Sequence, residues 1–280
     1  MSLFLYQLRF ELLKLFARKR TYIGFGAFIG LELLVLFFLH QKGEAFLRRQ
    51  IEGLGYAPEE YLSGLTIGFA ILFWSTFLLG ALYLALVAGD LVSKEVEDGT
   101  LRMTLCRPIS RIRLLTLKAV SAAIYTFALV LFVGATALLA GVLYGGTGGL
   151  FVFAPFEKIF VLYDFGPGLL RYAAALPLLA ASLFTITSLG FFFSCLNMKP
   201  AAATILTLSV FFVDTIMKTI PFLESIRDWL ITVRMNAWIH VFEANIPWEA
   251  MTEDYAWLLA IDATLLVLGW CAFEQRDFKS

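Results

Sequence analysis

Charge is what this chain has least of. Only 16% of its 280 residues are charged, against 60% hydrophobic. A soluble domain has about 25% charged and 45–50% apolar residues, so a water-solvated globule is excluded. Histidine numbers two and cysteine three. No Cys/His spacing suits a zinc site, and His40 and His240 read as isolated surface residues. Cys106, Cys195 and Cys271 all fall near ends assigned below to the cytoplasm, so free thiols are expected rather than disulfides. No G-x-x-x-x-G-K-[ST] phosphate loop occurs, and the glycine cluster Gly145–Gly149 has no lysine after it. Ser194 follows Phe193, not glycine, and no histidine lies inside an apolar run to act as its base, which argues against intramembrane proteolysis. Met1–Arg20 interleaves charges with apolar residues and leads to no small-residue cleavage site, so no cleavable signal peptide is expected. The short alternating segments of a membrane β-barrel are also missing.

What the chain does have is apolar runs of about twenty residues or more, each long enough to cross the ~30 Å hydrocarbon core as a helix. Six are expected: Thr21–His40, Gly64–Val92, Leu114–Tyr144, Leu169–Leu196, Ala201–Met217 and Tyr255–Phe273. Before them, residues 1–20 are amphipathic at helical period. Gln7, Glu11, Lys14 and Arg18 line one face, and Leu5, Leu8, Leu12, Leu15 and Phe16 the other. This predicts a helix in the membrane interface, polar side to water. Residues 21–280 then form the membrane domain. Gln41–Ser63 is expected to be polar and broken by Pro58, and a second polar loop runs from the glycine cluster to about Gly168. Asn197–Pro200 is a tight turn with Pro200 opening a helix. Residues 218–254 make a long loop whose apolar pieces, Ile226–Val233 and Ala237–Phe242, are expected to form short re-entrant helices. The small residues Ala173, Ala174, Ala180, Ala181, Ser182 and Ser188 mark the fourth run for close helix packing.

Six spans place both termini on one side. That side holds fourteen of the Lys and Arg residues, and the longer opposite loops hold eight bases against twelve acids. Basic residues favour the cytoplasm, so both termini and the loop Ser93–Lys118 are expected there. Trp229, Trp238, Trp248 and Trp257 cluster in or beside the last external loop, where interfacial tryptophans belong. The second and third runs exceed what a bilayer needs, by tilt or by projecting into the cytoplasm.

Ser93–Lys118 combines both signs of charge between two very apolar runs. Gly99 can end a helix in the left-handed conformation. Thr100 can cap a short helix that carries Leu101 and Leu105 on one face, Pro108 stops it, and Ser110 can cap the next helix. The segment suits docking on a soluble partner, and it equally suits a well-capped turn with positive-inside charges. Four acids lie in or at the ends of runs. Asp90 has Lys94 one turn away, and Asp214 ends the fifth run. Glu32 and Asp262 are near mid-membrane, where a lone charge costs very roughly 2.5–3.5 kcal/mol. They are candidates for a polar pathway lining or a dimer seam, or for satisfied helix contacts with hydroxyls such as those of Thr76, Tyr83 or Tyr125.

Glu95-x-x-x-Gly99-Thr100-Leu101, then Pro108-x-Ser110-Arg111, then Lys118, resembles the signature of ABC-2-type permeases, the membrane subunits of ABC exporters. The tail Phe273-x-x-Arg276-Asp277 is similar to the ending of many of them, and the likeness covers the whole chain. It implies an all-α membrane protein with the ABC-2 (type V exporter-like) permease fold. It implies that residues 93–113 contact a separate ATPase, with Glu95, Gly99, Thr100, Leu101, Leu105, Pro108, Arg111 and Lys118 in the coupling segment. ATP and Mg would then sit on that partner and no cofactor on this chain. A second permease copy, identical or a sister, is implied too. The setting would be a bacterial or archaeal cytoplasmic membrane, with lipid as surroundings and no nucleic acid. Some relatives couple an ATPase to an extracytoplasmic partner without transport, so that alternative stands beside export. A stand-alone carrier built on an inverted repeat has no visible repeat to support it.

Overall fold

The computed structural model describes residues 3–276 except 107, 108, 155, 156 and 158. It is 85% helical. Among the described residues, six helices are long and apolar enough to cross a membrane: Lys19–Gly53, Gly64–Glu97, Arg111–Gly145, Phe165–Cys195, Pro200–Thr219 and Trp248–Glu274. These are the first to sixth spans below. The protein is an all-α, multi-pass membrane protein, as the apolar runs predict.

Several bounds move, each for a local reason. The first span runs about three turns past His40, through a π-helical turn at Leu39–Gly43 and on through Glu44–Gly53. Glu44, Arg48, Arg49 and Gln50 are good helix formers. Leu47 and Ile51 are buried on one face of this extension, against Phe151. Gly55, at φ 82°, turns the chain away beyond it. Pro58 does not break a helix, contrary to expectation. It begins one, at the first position of Pro58–Tyr61, where its missing N–H costs nothing. The sixth span starts at Trp248, two turns before the expected Tyr255.

The second loop is not merely polar. Leu150–Ala154 (β1) and Ile159–Tyr163 (β2) pair antiparallel, with Leu150 opposite Tyr163 and Ala154 opposite Ile159. Both strands are rich in β-branched and aromatic residues, which suit a half-buried pleated surface. Residues 218–254 form a 3₁₀ segment (Pro221–Trp229), a single helical turn (Ile231–Arg234) and a second 3₁₀ segment (Met235–Phe242). In the last of these Trp238, Val241 and Phe242 are buried, with the Phe242 ring 5.0 Å from that of Phe69 in the second span. The second apolar piece, Ala237–Phe242, is therefore packed in protein, where irregular backbone is tolerated, while Ile226 and Trp229 of the first are exposed.

The fourth span is the hub. It packs against the second, third, fifth and sixth spans and against Met235–Phe242. Ala180, Ser182 and Ser188 lie inside these contacts as expected, but Ala173 and Ala174 face outward. Among the described glycines, the closest approach to another backbone lies elsewhere, between the second and third spans. A Cβ on Gly141 would come within 2.2 Å of the Gly64 carbonyl oxygen and 2.6 Å of the Gly68 nitrogen. Gly64-x-x-x-Gly68 is the small-residue spacing that lets two helices touch backbone to backbone, a signal that stands in the sequence beside the one in the fourth run.

Candidate functional site: the charged loop and its anchors

The second span ends as the sequence predicts. Gly99 takes a φ of 71°, and its N–H donates to the Val96 carbonyl. The short helix Thr100–Leu105 follows directly. Thr100 does not cap it from outside. It is the helix's first residue, and its hydroxyl donates back to the Glu95 carbonyl at 3.3 Å. Leu101 is buried, while Met103 and Cys106 are exposed. The side chain of Leu105 and the whole of Pro108 lie outside the described atoms. Ser110 caps the third span, its hydroxyl accepting the Arg113 N–H at 3.3 Å.

Beneath this loop lies a cluster of ion pairs. Lys118, only 1% exposed, meets Glu95 at 2.8 Å and Glu11 at 3.3 Å, and donates to the Leu91 carbonyl at 3.2 Å. Lys14 bonds Glu11 at 2.8 Å and approaches Glu95 at 3.7 Å, and Arg18 comes within 3.8 Å of Glu95. A buried charge is tolerable only when paired and hydrogen-bonded, and this set joins the N-terminal helix (Leu3–Ala17) to the helices on both sides of the loop. Burial pushes the Glu11 carboxyl up, but the charges and hydrogen bonds of Lys118 and Lys14 outweigh it and hold it below the usual carboxylate range. Burial likewise acts to lower Lys14, and its bond to Glu11 and the charge of Glu95 raise it above the ordinary lysine value. Glu95 and Lys118 thus hold the loop from inside.

The N-terminal helix is turned differently from the expected orientation. Its polar row points partly into the protein at Glu11, and Leu15, placed on the lipid side by the sequence, is buried. The exposed apolar row is Leu3, Tyr6, Phe10 and Leu13, at spacings of three and four, with Leu5 beside it. Asp90 pairs with Arg20 at 2.5 Å and not with Lys94, which is held by Glu97 at 2.7 Å and Asp98 at 3.2 Å. Arg111 lies partly buried, its guanidinium donating to carbonyls of the sixth span's last turn and the residues after it: Glu274 at 2.9 Å, Arg276 at 3.1 Å and Phe273 at 3.5 Å.

Both mid-membrane acids lie within the chain's own helix packing. Glu32 is 2% exposed and accepts from Thr136 of the third span at 2.9 Å, a partner the sequence did not single out. Asp262 is 3% exposed and faces Thr185 and Ser188 of the fourth span. Asp214 acts on the loop between the fifth and sixth spans instead. Its carboxylate accepts the N–H groups of Ile231 and Thr232 at 3.1 and 2.7 Å, fixing the turn Ile231–Arg234 to the fifth span.

Glu11, Lys14 and Arg18 of the N-terminal helix and Arg276 of the tail take part in holding the loop and its neighbours, a role that sequence reasoning did not give them. The only signal for Glu11 was a single acid in an otherwise basic and amide row, and for Arg276 its place in the tail motif.

The family model described as ABC-2 family transporter protein matches residues 14–278. The chain belongs to the ABC-2 transporter family. The match takes in the N-terminal helix from Lys14, the loop and all six spans. A search of curated proteins finds no match. As an ABC-2 family member with six apolar helices, the protein is a membrane component of a transporter, which agrees with the resemblance carried by Glu95 through Lys118.

Proposed function

We propose that this ABC-2 family chain is the permease subunit of an ATP-driven exporter. Hydrolysis takes place on a separate ATPase that holds ATP and Mg, and two permease copies together form the membrane path. The termini face is cytoplasmic and the membrane is the bacterial or archaeal cytoplasmic membrane, as the excess of Lys and Arg supports. The short helix Thr100–Leu105 contacts the ATPase. The exposed row Leu3–Tyr6–Phe10–Leu13 lies against the cytoplasmic leaflet.

The observation that carries this reading is the seating of the loop. A six-residue helix presents Met103 outward, yet its base is fixed to three helices through Glu95, Lys118 and Glu11. A capped turn that merely closes two spans has no need of buried charges, since each must recover several kcal/mol of lost hydration. A lever that transmits force needs such a rigid base. The test is co-expression with candidate ATPases, followed by pull-down and efflux. Arg111→Glu and Gly99→Pro are expected to lower assembly or transport. Both variants keeping full assembly and full transport would sink the coupling role.

A second reading has its own support. On the far face, β1, β2 and residues 221–247 form a folded cap. Arg171 donates to the carbonyls of Val241 at 2.5 Å and Glu243 at 2.6 Å, and Tyr163 to that of Phe242 at 2.7 Å. Phe222 and Trp229 remain 82% and 71% exposed on it. Such a surface fits an extracytoplasmic partner driven by the same ATPase without transport. Deleting residues 221–229 distinguishes the two: loss of a bound partner from a complex that shows no efflux favours the second reading, and loss of efflux the first.

A further inference from the structure

We propose that Arg111 and Arg276 form a second transmission arm, passing movement of the loop to the end of the sixth span and from there to the turn between the fourth and fifth spans. This rests on the loop being the coupling segment and adds residues to that role. The first arm leaves the entry of the loop, through Glu95 and Lys118, for the N-terminal helix. The second leaves its exit.

The last carbonyls of a helix have no partner within it and lie at the negative end of its dipole, so a cation placed there is held by charge as well as by hydrogen bonds. Arg111 occupies that position on the sixth span, with contacts of 2.9, 3.1 and 3.5 Å to three main-chain sites of the segment 273–276. The same segment carries Arg276, which extends away to the next helix end. Its Nη1 donates to the Leu196 carbonyl at 3.1 Å and its Nη2 to Asn197 Oδ1 at 2.8 Å. Two guanidinium clasps in series therefore connect the start of the third span to the end of the sixth, and the end of the sixth to the end of the fourth. Phe273, fully buried, prevents the segment between the clasps from sliding. Arg276 is suited to such a link because its planar fork holds two acceptors at fixed angles, one on each terminal nitrogen, which a lysine ammonium does not. Both residues are positioning residues: they touch helix ends, not cargo.

Cys195 reports on this seam. It is fully buried at the end of the fourth span, and its Sγ lies 3.5 Å from the point a Cβ on Gly269 of the sixth span would occupy. Cys106 and Cys271 are exposed on the chain by itself, Cys106 beside the docking helix and Cys271 within the sixth span.

The experiment uses the full chain in nanodiscs with the ATPase subunit that co-purifies with it. Alkylation of each cysteine by a maleimide is followed by mass spectrometry, with and without ATP plus vanadate. In the unsubstituted protein Cys195 reacts slowly, and nucleotide changes its rate. Arg276→Ala is expected to raise the nucleotide-free Cys195 rate at least about tenfold, the scale set by losing one of its two charge-assisted bonds. It should also abolish the nucleotide response while the ATPase stays bound. Arg276→Lys, which keeps the charge without the fork, should fall between. Arg111→Ala should abolish the response as well, and it carries the test if Arg276→Ala does not fold. A nucleotide response of Cys195 that persists in either alanine variant overturns the arm. Failure of any ATPase to co-purify, or an unsubstituted protein without a nucleotide response, overturns the coupling reading itself and the arm with it.

Discussion

The two faces of the protein are fastened with different weight on buried charge and on close-packed backbone. On the termini face the loop is held by side-chain ion pairs, Lys118 with Glu95 and Glu11, and by the two arginine clasps. The far face has charged links too, Arg234 with Asp254, Lys218 with Glu157 and Arg171 with the Val241 and Glu243 carbonyls, but they are less buried than Lys118 and stand beside main-chain and apolar fastening: the antiparallel pairing of β1 and β2, the backbone contact of Gly141 with Gly64, and aromatic packing around Phe242. Ion pairs across helix ends can be exchanged as the helices move, while close-packed backbone cannot be deformed gradually. The contrast teaches where movement can begin: at the face with the buried ion-pair cluster, against an opposite cap stiffened by close-packed backbone.

The strongest way to break the contrast is to remove one charge from the cluster. Lys118→Met leaves Glu95 and Glu11 buried without their main counter-charge, and a loss of about 3–5 kcal/mol is expected. Thermal unfolding in nanodiscs measures it. The triple replacement Glu11→Gln, Glu95→Gln and Lys118→Met removes the pairs together and should recover most of that loss. If the triple variant is no more stable than Lys118→Met alone, the cluster does not behave as one unit.

Gly141→Val attacks the far face by forcing two backbones apart. Overpacking of this kind costs about 1–3 kcal/mol or more, and the same melting experiment should show it with no dependence on salt. Arg171→Ala frees the carbonyls of Val241 and Glu243, bonds of the charge-assisted class worth about 1.5–3 kcal/mol. Its mark should be local: faster hydrogen exchange in residues 235–244, with the termini face unaffected.

The pH dependence sharpens the contrast. The folded-state pKa of Glu11 is lowered, so its stabilising contribution is complete above the unfolded-state value and disappears as pH falls through the folded one. Acid melting should therefore loosen the N-terminal helix. Glu11→Gln should flatten that acid limb, and an unchanged limb would contradict the pairing. The smallest effect is expected from Arg48→Ala. Its contact with Glu59 is 3.4 Å long between exposed side chains, and exposed pairs contribute about 0–1 kcal/mol.

Much of this was legible in order along the chain. The six apolar runs required membrane helices, because unpaired backbone groups cannot face hydrocarbon. Gly99 and Ser110 announced the loop's terminator and cap. The errors came where a local rule had two solutions. Asp90 could pair with Lys94 by helical spacing, yet Arg20 of another helix reached it and Lys94 took Glu97 and Asp98. Pro58 could stop a helix or start one. Leu150–Ala154 is too short an apolar segment for periodicity to separate strand from loop. The orientation of the N-terminal helix depended on which of its faces found a partner, and Lys118 supplied that partner from 107 residues away.

The sequence by itself determined the class of protein, the number of spans and the place of the charged loop. These follow from transfer free energies and local backbone preferences, which each segment carries wherever it is. Only the tertiary structure decided that Glu95 and Lys118 face inward as a paired base for the loop, that Arg111 holds the end of the sixth span, and that Arg276 continues to the fourth. Charges choose partners by distance in space, and those distances exist only after the helices have packed.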